Sequence, residues 1–501
     1  MEFSKSAGLN CFGGNLSITG SNCYIRNADQ IRDAALITIR NAKLIGSIGV
    51  TNSAVEETLG HMTLGNGGEL RAENSTSIAL GGDITVEAGA NATVYAVSSS
   101  GFKIDGRTCT ISTQTGAQLK LAGNTSTISD GAQPGSLLKT GPGTLVLEED
   151  NTLSGTCTIA GGKVRIEHEK ALGGETGMNP ITVQAGGTLE MGHPDGPIFN
   201  MENPAIHLAG TLAASRYTNV LSSVILSGAP ALSAASGEIL LINHSLSGSA
   251  NPLGIAGSGT VLFGAPNDPN TYTGDTAITS ADARLSLDKS PGVPAVPGNL
   301  RFDADGTVEC RSANQYSFTS QIISTNGGTF KTGNKDQTIS GMSGTGPIGL
   351  KTEIGSSTLT IHIPVALQLG TPAAPAAFRG TSSGRVRKLG PGTWTVYHAP
   401  VSIFENAPDL SPESGTTSLF GSWPGTIEVK GGTLRGGASV NQILGMGGSI
   451  CLCDFTVNHF SGAANVLMNI NGYNAGTSYD RLVVPSSSSG TNLTGQTLNV
   501  T

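Results

Sequence analysis

The densest group of side chains able to do chemistry is Trp394, Tyr397 and His398, with Trp423 nearby. Aromatic rings stack on the apolar face of a sugar, and Tyr and His add polar tips, so the group reads as a glycan-binding platform. If strand alternation starts at Trp394, Val396 and His398 share its side while Tyr397 faces the other way. The competing reading is structural: a core aromatic group towards the end of a repetitive fold.

Other chemistry-bearing residues are more dispersed. Glycosidic bond cleavage needs two carboxylates about 5 to 9.5 Å apart, and stacked strands can supply that spacing. Glu148-Glu149-Asp150 reads instead as a solvated corner, and nothing in the sequence shows which carboxylates align. Asp303 and Asp305, expected on one strand face, faintly suggest a calcium loop but lack its third acid and terminal Glu. The eight histidines lie outside any "G-x-S-x-G" or "H-E-x-x-H" neighbourhood, so no catalytic residue is assigned. Of the seven cysteines, Cys451 and Cys453 would point to one strand face, but His459 alone does not complete a zinc site. The cysteines read as small apolar fillers, and neither metal nor cofactor is expected.

What elements would position such residues? Among the 501 residues, Gly 71 is about twice the usual share of roughly 7%, whereas charged residues are only 13% and aromatics 5%. A net charge of −8 argues against a nucleic-acid partner, which calls for a basic patch or stripe. The chain repeats a small phrase of two small residues, one variable residue and a β-former. Examples are Gly67-Gly68-Glu69-Leu70, Gly89-Ala90-Asn91-Ala92, Gly116-Ala117-Gln118-Leu119, Gly161-Gly162-Lys163-Val164, Gly186-Gly187-Thr188-Leu189 and Ala209-Gly210-Thr211-Leu212. One interval is double, as though an intervening phrase were degraded. Short alternating strands with a period of about 22 to 25 residues fit a parallel β-helix better than a propeller blade. The expected fold is all-β, a single-stranded parallel β-helix (β-solenoid) of roughly 20 rungs. Its one weak helix candidate is Ala54 to Leu59.

Longer stretches carry a more specific likeness. Lys139-Thr140-Gly141-Pro142-Gly143-Thr144-Leu145-Val146-Leu147 leads to Asn151-Thr152-Leu153-Ser154-Gly155-Thr156-Cys157-Thr158-Ile159, then Ala160-Gly161-Gly162-Lys163-Val164. Asn270-Thr271-Tyr272-Thr273-Gly274-Asp275-Thr276-Ala277-Ile278 repeats the middle part, and Lys388-Leu389-Gly390-Pro391-Gly392-Thr393-Trp394-Thr395-Val396 the first. Together they resemble the passenger-associated transport repeat, also called the autotransporter-associated β-strand repeat. Tyr479-Asp480-Arg481-Leu482 through Val500 is similar to the end of such passengers. The resemblance implies a right-handed coil exported to a bacterial surface, with an adhesive or structural role.

The expected organisation is residues 1–137 as rungs of weaker repeat match, 138–425 as passenger-type β-helix with a loop-rich insertion near 362–425, and 426–501 as the solenoid end. Prolines 364, 372, 375, 400, 408 and 412 are expected to interrupt the ladder there. The expected function is a non-enzymatic adhesive or structural stalk, secreted or on the outer surface of a bacterium. A polysaccharide lyase or glycoside hydrolase, or a self-assembling fibre subunit, is the alternative. Expected partners are host-cell or matrix glycans or proteins, and self-association through end rungs. Met1 to Gly8 lacks the apolar core of an export signal, so signal and membrane anchor are expected outside this chain.

Overall fold

The computed structural model describes residues 1–5, 11, 13–47, 56–97, 99–123, 127–173, 180–192, 199–201, 205–264, 267–381, 383–399, 408–435, 438–451, 455–468, 482–483 and 497–500; side chains are described up to 435, save those of 56, 199, 201 and 424. Among the described residues the strands pair in parallel and there is no helix. The chain divides into two compact units, Met1–Asn251 and Pro252–Thr501. Each is a parallel β-solenoid.

In the first unit, one face is a ladder of eleven strands from Glu2–Phe3 to Ala231–Ala234, and a second face is eleven strands from Leu16–Thr19 to Leu246–Gly248. A third face is made of shorter ladders, such as Glu56–Leu59, Ser77–Leu80, Gly101–Ile104 and Ile128–Asp130. The second unit carries five strands of the first kind, Leu253–Gly257 to Gly341–Ser343. Eleven such strands in the first unit and five in the second make about 16 turns, somewhat below the roughly 20 expected from length. Three strands of 14 residues each, Thr416–Val429, Ala438–Cys451 and Phe455–Met468, pair in parallel in the last part of the second unit.

The small repeated phrase marks real register. Asn91, Gln118, Thr144, Lys163, Thr188, Thr211 and Ala231 are successive ladder partners. The degraded copy is therefore Gly143-Thr144-Leu145, which opens inside the lysine-led element. At the other end the sequence alignment slips by two: Glu69 pairs with Thr93, not Asn91. Behind these partners, Leu119, Leu145, Val164, Leu189, Leu212 and Leu232 stack rung upon rung, all fully buried. Gly186 turns this corner at φ +87, a conformation that side chains with a Cβ rarely adopt. Gly187 is needed for a different reason: a Cβ there would collide with the Ile159 carbonyl.

Two expectations fail here. Residues Glu56–Leu59 are strand, not helix, because Glu57 and Leu59 both point inward and Thr58 outward, a period of two. The stretch near 362–425 is also no bare loop among its described residues. Leu367–Leu369, Ala377–Gly380, Arg385–Leu389, Thr393–His398 and Asp409–Pro412 continue the ladders, and Pro412 itself faces Lys388 in register. A proline terminating a strand costs little, since the missing N–H is the only bond it forfeits.

Candidate functional site

The aromatic candidates separate by alternation. Trp394 is 0% exposed and His398 2%, so neither ring can meet a sugar; the glycan-platform expectation is corrected for both. They form a buried plug with Phe378 and Trp423, whose ring centroids lie 4.9 to 6.0 Å apart. The indole N–H of Trp394 donates to the Met342 carbonyl at 3.0 Å, and that of Trp423 to Pro408 at 3.1 Å. His398 accepts the Phe378 N–H on Nε2 and lies 2.9 Å from the Ala399 carbonyl through Nδ1, which suits a neutral ring. Burial lowers its pKa accordingly. Only Tyr397 faces outward, stacked on Phe420 at 5.0 Å and 16°. Sequence reasoning missed Phe378 and Phe420, whose partners lie a rung away and leave no local signature.

The other chemical candidates are committed to neighbours. Asp303 pairs with Arg301 at 3.1 Å and accepts the Thr325 hydroxyl at 2.8 Å; Asp305 accepts the Gly328 N–H at 2.9 Å. Both lie in the turn after Leu300–Phe302 rather than on one strand face. Glu148 pairs with Lys120, and Asp150 with His168. Among the cysteines, Cys23, Cys109, Cys157 and Cys310 are buried, and burial pushes the last three thiols up to about 12. A thiol so rarely ionised is packing material, not a nucleophile. Cys453 lies outside the described residues, as does the side chain of Cys451.

The residues that carry the family likeness point inward too. Lys139 and Lys388 are 0% exposed. The Lys139 ammonium donates to the carbonyls of Thr140, Gly141 and Gly161 at 2.7, 2.9 and 3.1 Å. Lys388 does the same to Gly390, Gly392 and Ser414 at 2.8, 2.6 and 2.6 Å. Each closes its own glycine turn and ties it to the turn one rung on. Lys289, which no repeat pattern singled out, holds the Gly264 and Asp268 carbonyls at 2.9 and 2.6 Å. Burial pushes all three ammonium groups down to about 8, which still leaves them charged at neutral pH.

Asparagine plays the matching part in the middle element. Asn151 accepts the Ile128 N–H at 2.8 Å and donates to the Ala171 carbonyl at 2.6 Å; Asn270 donates to Ala295 at 2.7 Å. Its side chain thereby spans neighbouring rungs and satisfies corner groups that the ladder leaves unpaired.

What remains for a partner is the outward surface. In the second unit, a polar groove of about 560 Å³ runs over Asp336, Thr338, Thr360, Arg385, Arg387 and Glu413. Arg387 grips Glu413 through Nε and Nη2 at 2.9 and 2.7 Å, which holds that carboxyl below its usual range. In the first unit, a void of only about 10 Å³ is lined by Leu121, Leu153 and Cys157 among others. It has room for about one water and for no substrate. Fold and surface together define a parallel β-solenoid protein. No family model, curated protein or solved structure matches this chain.

Proposed function

We propose that this chain is an adhesive or structural stalk displayed at a bacterial surface, a passenger-type β-solenoid whose outward faces meet host-cell or matrix glycans or proteins. One observation carries the reading. The lysines and asparagines that make the sequence similar to transport repeats are spent on holding turns together, so the repeat specifies a scaffold. Side chains outside it are free to vary with the partner. The half-buried, outward-facing Tyr397–Phe420 stack and the groove over Arg387 are surfaces of the kind that recognise polar ligands with an apolar face.

The test pairs binding with turnover. Purified chain is offered to cultured epithelial cells, to matrix proteins and to a glycan array, and parallel samples with common polysaccharides are assayed for reducing ends. Saturable binding without released sugar is expected. Release of reducing ends would make the protein an enzyme built on the same coil, and the absence of binding to every surface would remove the adhesive role.

A further inference from the structure

We infer that the second unit holds a subsite for the carboxylate or sulfate group of an acidic polysaccharide, centred on Arg284 and Arg311. The inference deepens the adhesive reading above and rests on it for the class of partner.

The site is a depression of about 230 Å³ on the outward side of the strands Thr260–Phe263, Arg284–Leu287, Thr307–Cys310 and Thr329–Lys331. Ladder register fixes its rows. Thr260, Arg284 and Thr307 follow one another on successive rungs, and beside them run Ser286, Glu309 and Lys331. Arg311 enters from the turn that follows Cys310.

Its charge is unbalanced, whereas many outward cations elsewhere sit against a carboxylate. Lys43 pairs with Glu69, Arg107 with Asp83, Arg165 with Glu167 and Arg387 with Glu413, at 2.7 to 3.0 Å. Arg284 and Arg311 are both exposed, and among the described residues neither has a carboxylate oxygen within 4.0 Å. Lys331 is already held by Glu353 at 2.9 Å, and Glu309 bonds to none of the three cations. Two free guanidiniums and one carboxylate thus line a single hollow. On the floor, Ser286 is only 4% exposed, and among the described residues its hydroxyl, which still opens to the hollow, has no hydrogen-bond partner. A nearly buried hydroxyl without a partner, opening into a cationic hollow, is what an oxyanion would satisfy.

The hydroxyl neighbours favour a sugar chain over other anions. Thr260, Ser286 and Thr307 can exchange hydrogen bonds with ring hydroxyls on either side of the anionic group. Two rungs span about 10 Å, close to one disaccharide. No aromatic side chain lines the depression to stack a nucleobase, which sets single-stranded nucleic acid aside.

The experiment is calorimetric titration of the full chain with four probes: a sulfated glycosaminoglycan hexasaccharide, an oligouronate of the same length, a neutral dextran oligosaccharide and inorganic sulfate. Both acidic oligosaccharides are expected to bind, more weakly as salt rises, and dextran is expected not to. Arg284→Gln and Arg311→Gln should each weaken binding by about tenfold and Ser286→Ala by less, with unchanged circular dichroism. The inference falls if neither acidic probe binds, if the Arg variants bind as wild type does, or if inorganic sulfate binds as tightly as the hexasaccharide. Cell adhesion separates it from the broader reading. Adhesion kept in the doubly substituted chain without acidic-glycan binding by wild type sinks the subsite alone; Arg-dependent glycan binding without adhesion sinks the stalk reading and leaves the subsite.

Discussion

The asparagine-led element occurs once in each unit, and the two copies solve one packing problem differently. In the second unit, Tyr272 is buried and its hydroxyl bonds to the buried Thr276. In the first, the same two places hold Leu153 and Cys157, and the void of about 10 Å³ lies against both. Asn151 and Asn270 clamp the neighbouring rung alike in the two copies. The lesson is that the polar clamp is tied to the backbone and recurs, whereas the filler is exchanged in pairs. A buried tyrosine hydroxyl demands a partner, and when it goes the partner goes too.

The strongest way to break this comparison is to remove a clamp from either unit. Lys139→Met and Lys388→Met should each cost about 4 kcal/mol, because each leaves three turn carbonyls without their donor. Hydrogen exchange, read unit by unit, should show faster opening of the turns around Gly141 and Gly161 in one variant and Gly390 and Gly392 in the other. Protection unchanged in both would mean that the turns hold themselves.

A second prediction sets the units apart by pH. In the first unit, Glu57 is 1% exposed and its two oxygens accept the N–H groups of Gln30 and Ile31, both at 2.8 Å. In the second, the neutral Gln337 accepts the Gln315 N–H at 3.0 Å in the same manner. Burial pushes Glu57 up to about 7 from the ordinary 4.5. Between these values the folded chain binds the extra proton. Its contribution is therefore fully present below 4.5 and lost as pH rises through 7. The first unit should lose roughly 3 kcal/mol between pH 4.5 and 7.5 from this group, and the second unit none from Gln337. Glu57→Gln should flatten that slope in urea melts; a slope that survives the substitution belongs to other groups.

Smaller effects sharpen the filler argument. Tyr272→Phe keeps the ring but orphans the Thr276 hydroxyl, and should cost about 2 kcal/mol by thermal or urea melting. A loss near zero would show that the hydroxyl finds another acceptor. Smallest of all is the transplant: Leu153→Tyr with Cys157→Thr should fill the void in the first unit and gain about 1 kcal/mol. Either single change should do worse than the pair, and an additive result would contradict the paired exchange.

Much of the scaffold could be read from the chain. The phrase spacing led to a parallel coil, and the phrase's β-former and small residues, such as Leu189 and Gly186, proved to be core and corner. The site was far less legible. Trp394 and His398 share a strand side with Val396, as alternation requires, but alternation does not say which side is closed. That choice belongs to Phe378 and Trp423, which arrive from other rungs to cover it.

By itself, then, the sequence determined what local stereochemistry governs: strand period, small-residue corners and rung length. Each of these depends on a few consecutive residues, so short spacing suffices to express it. Tertiary structure alone decided which face is core, which hydroxyl keeps a partner and which cations stay unpaired. Arg284 and Arg311 are 27 residues apart in number, and only stacking of their rungs brings them to one hollow with Ser286 at its floor. Stacking in a solenoid joins residues one rung apart through ladder register, and that register shifts with every insertion in a turn.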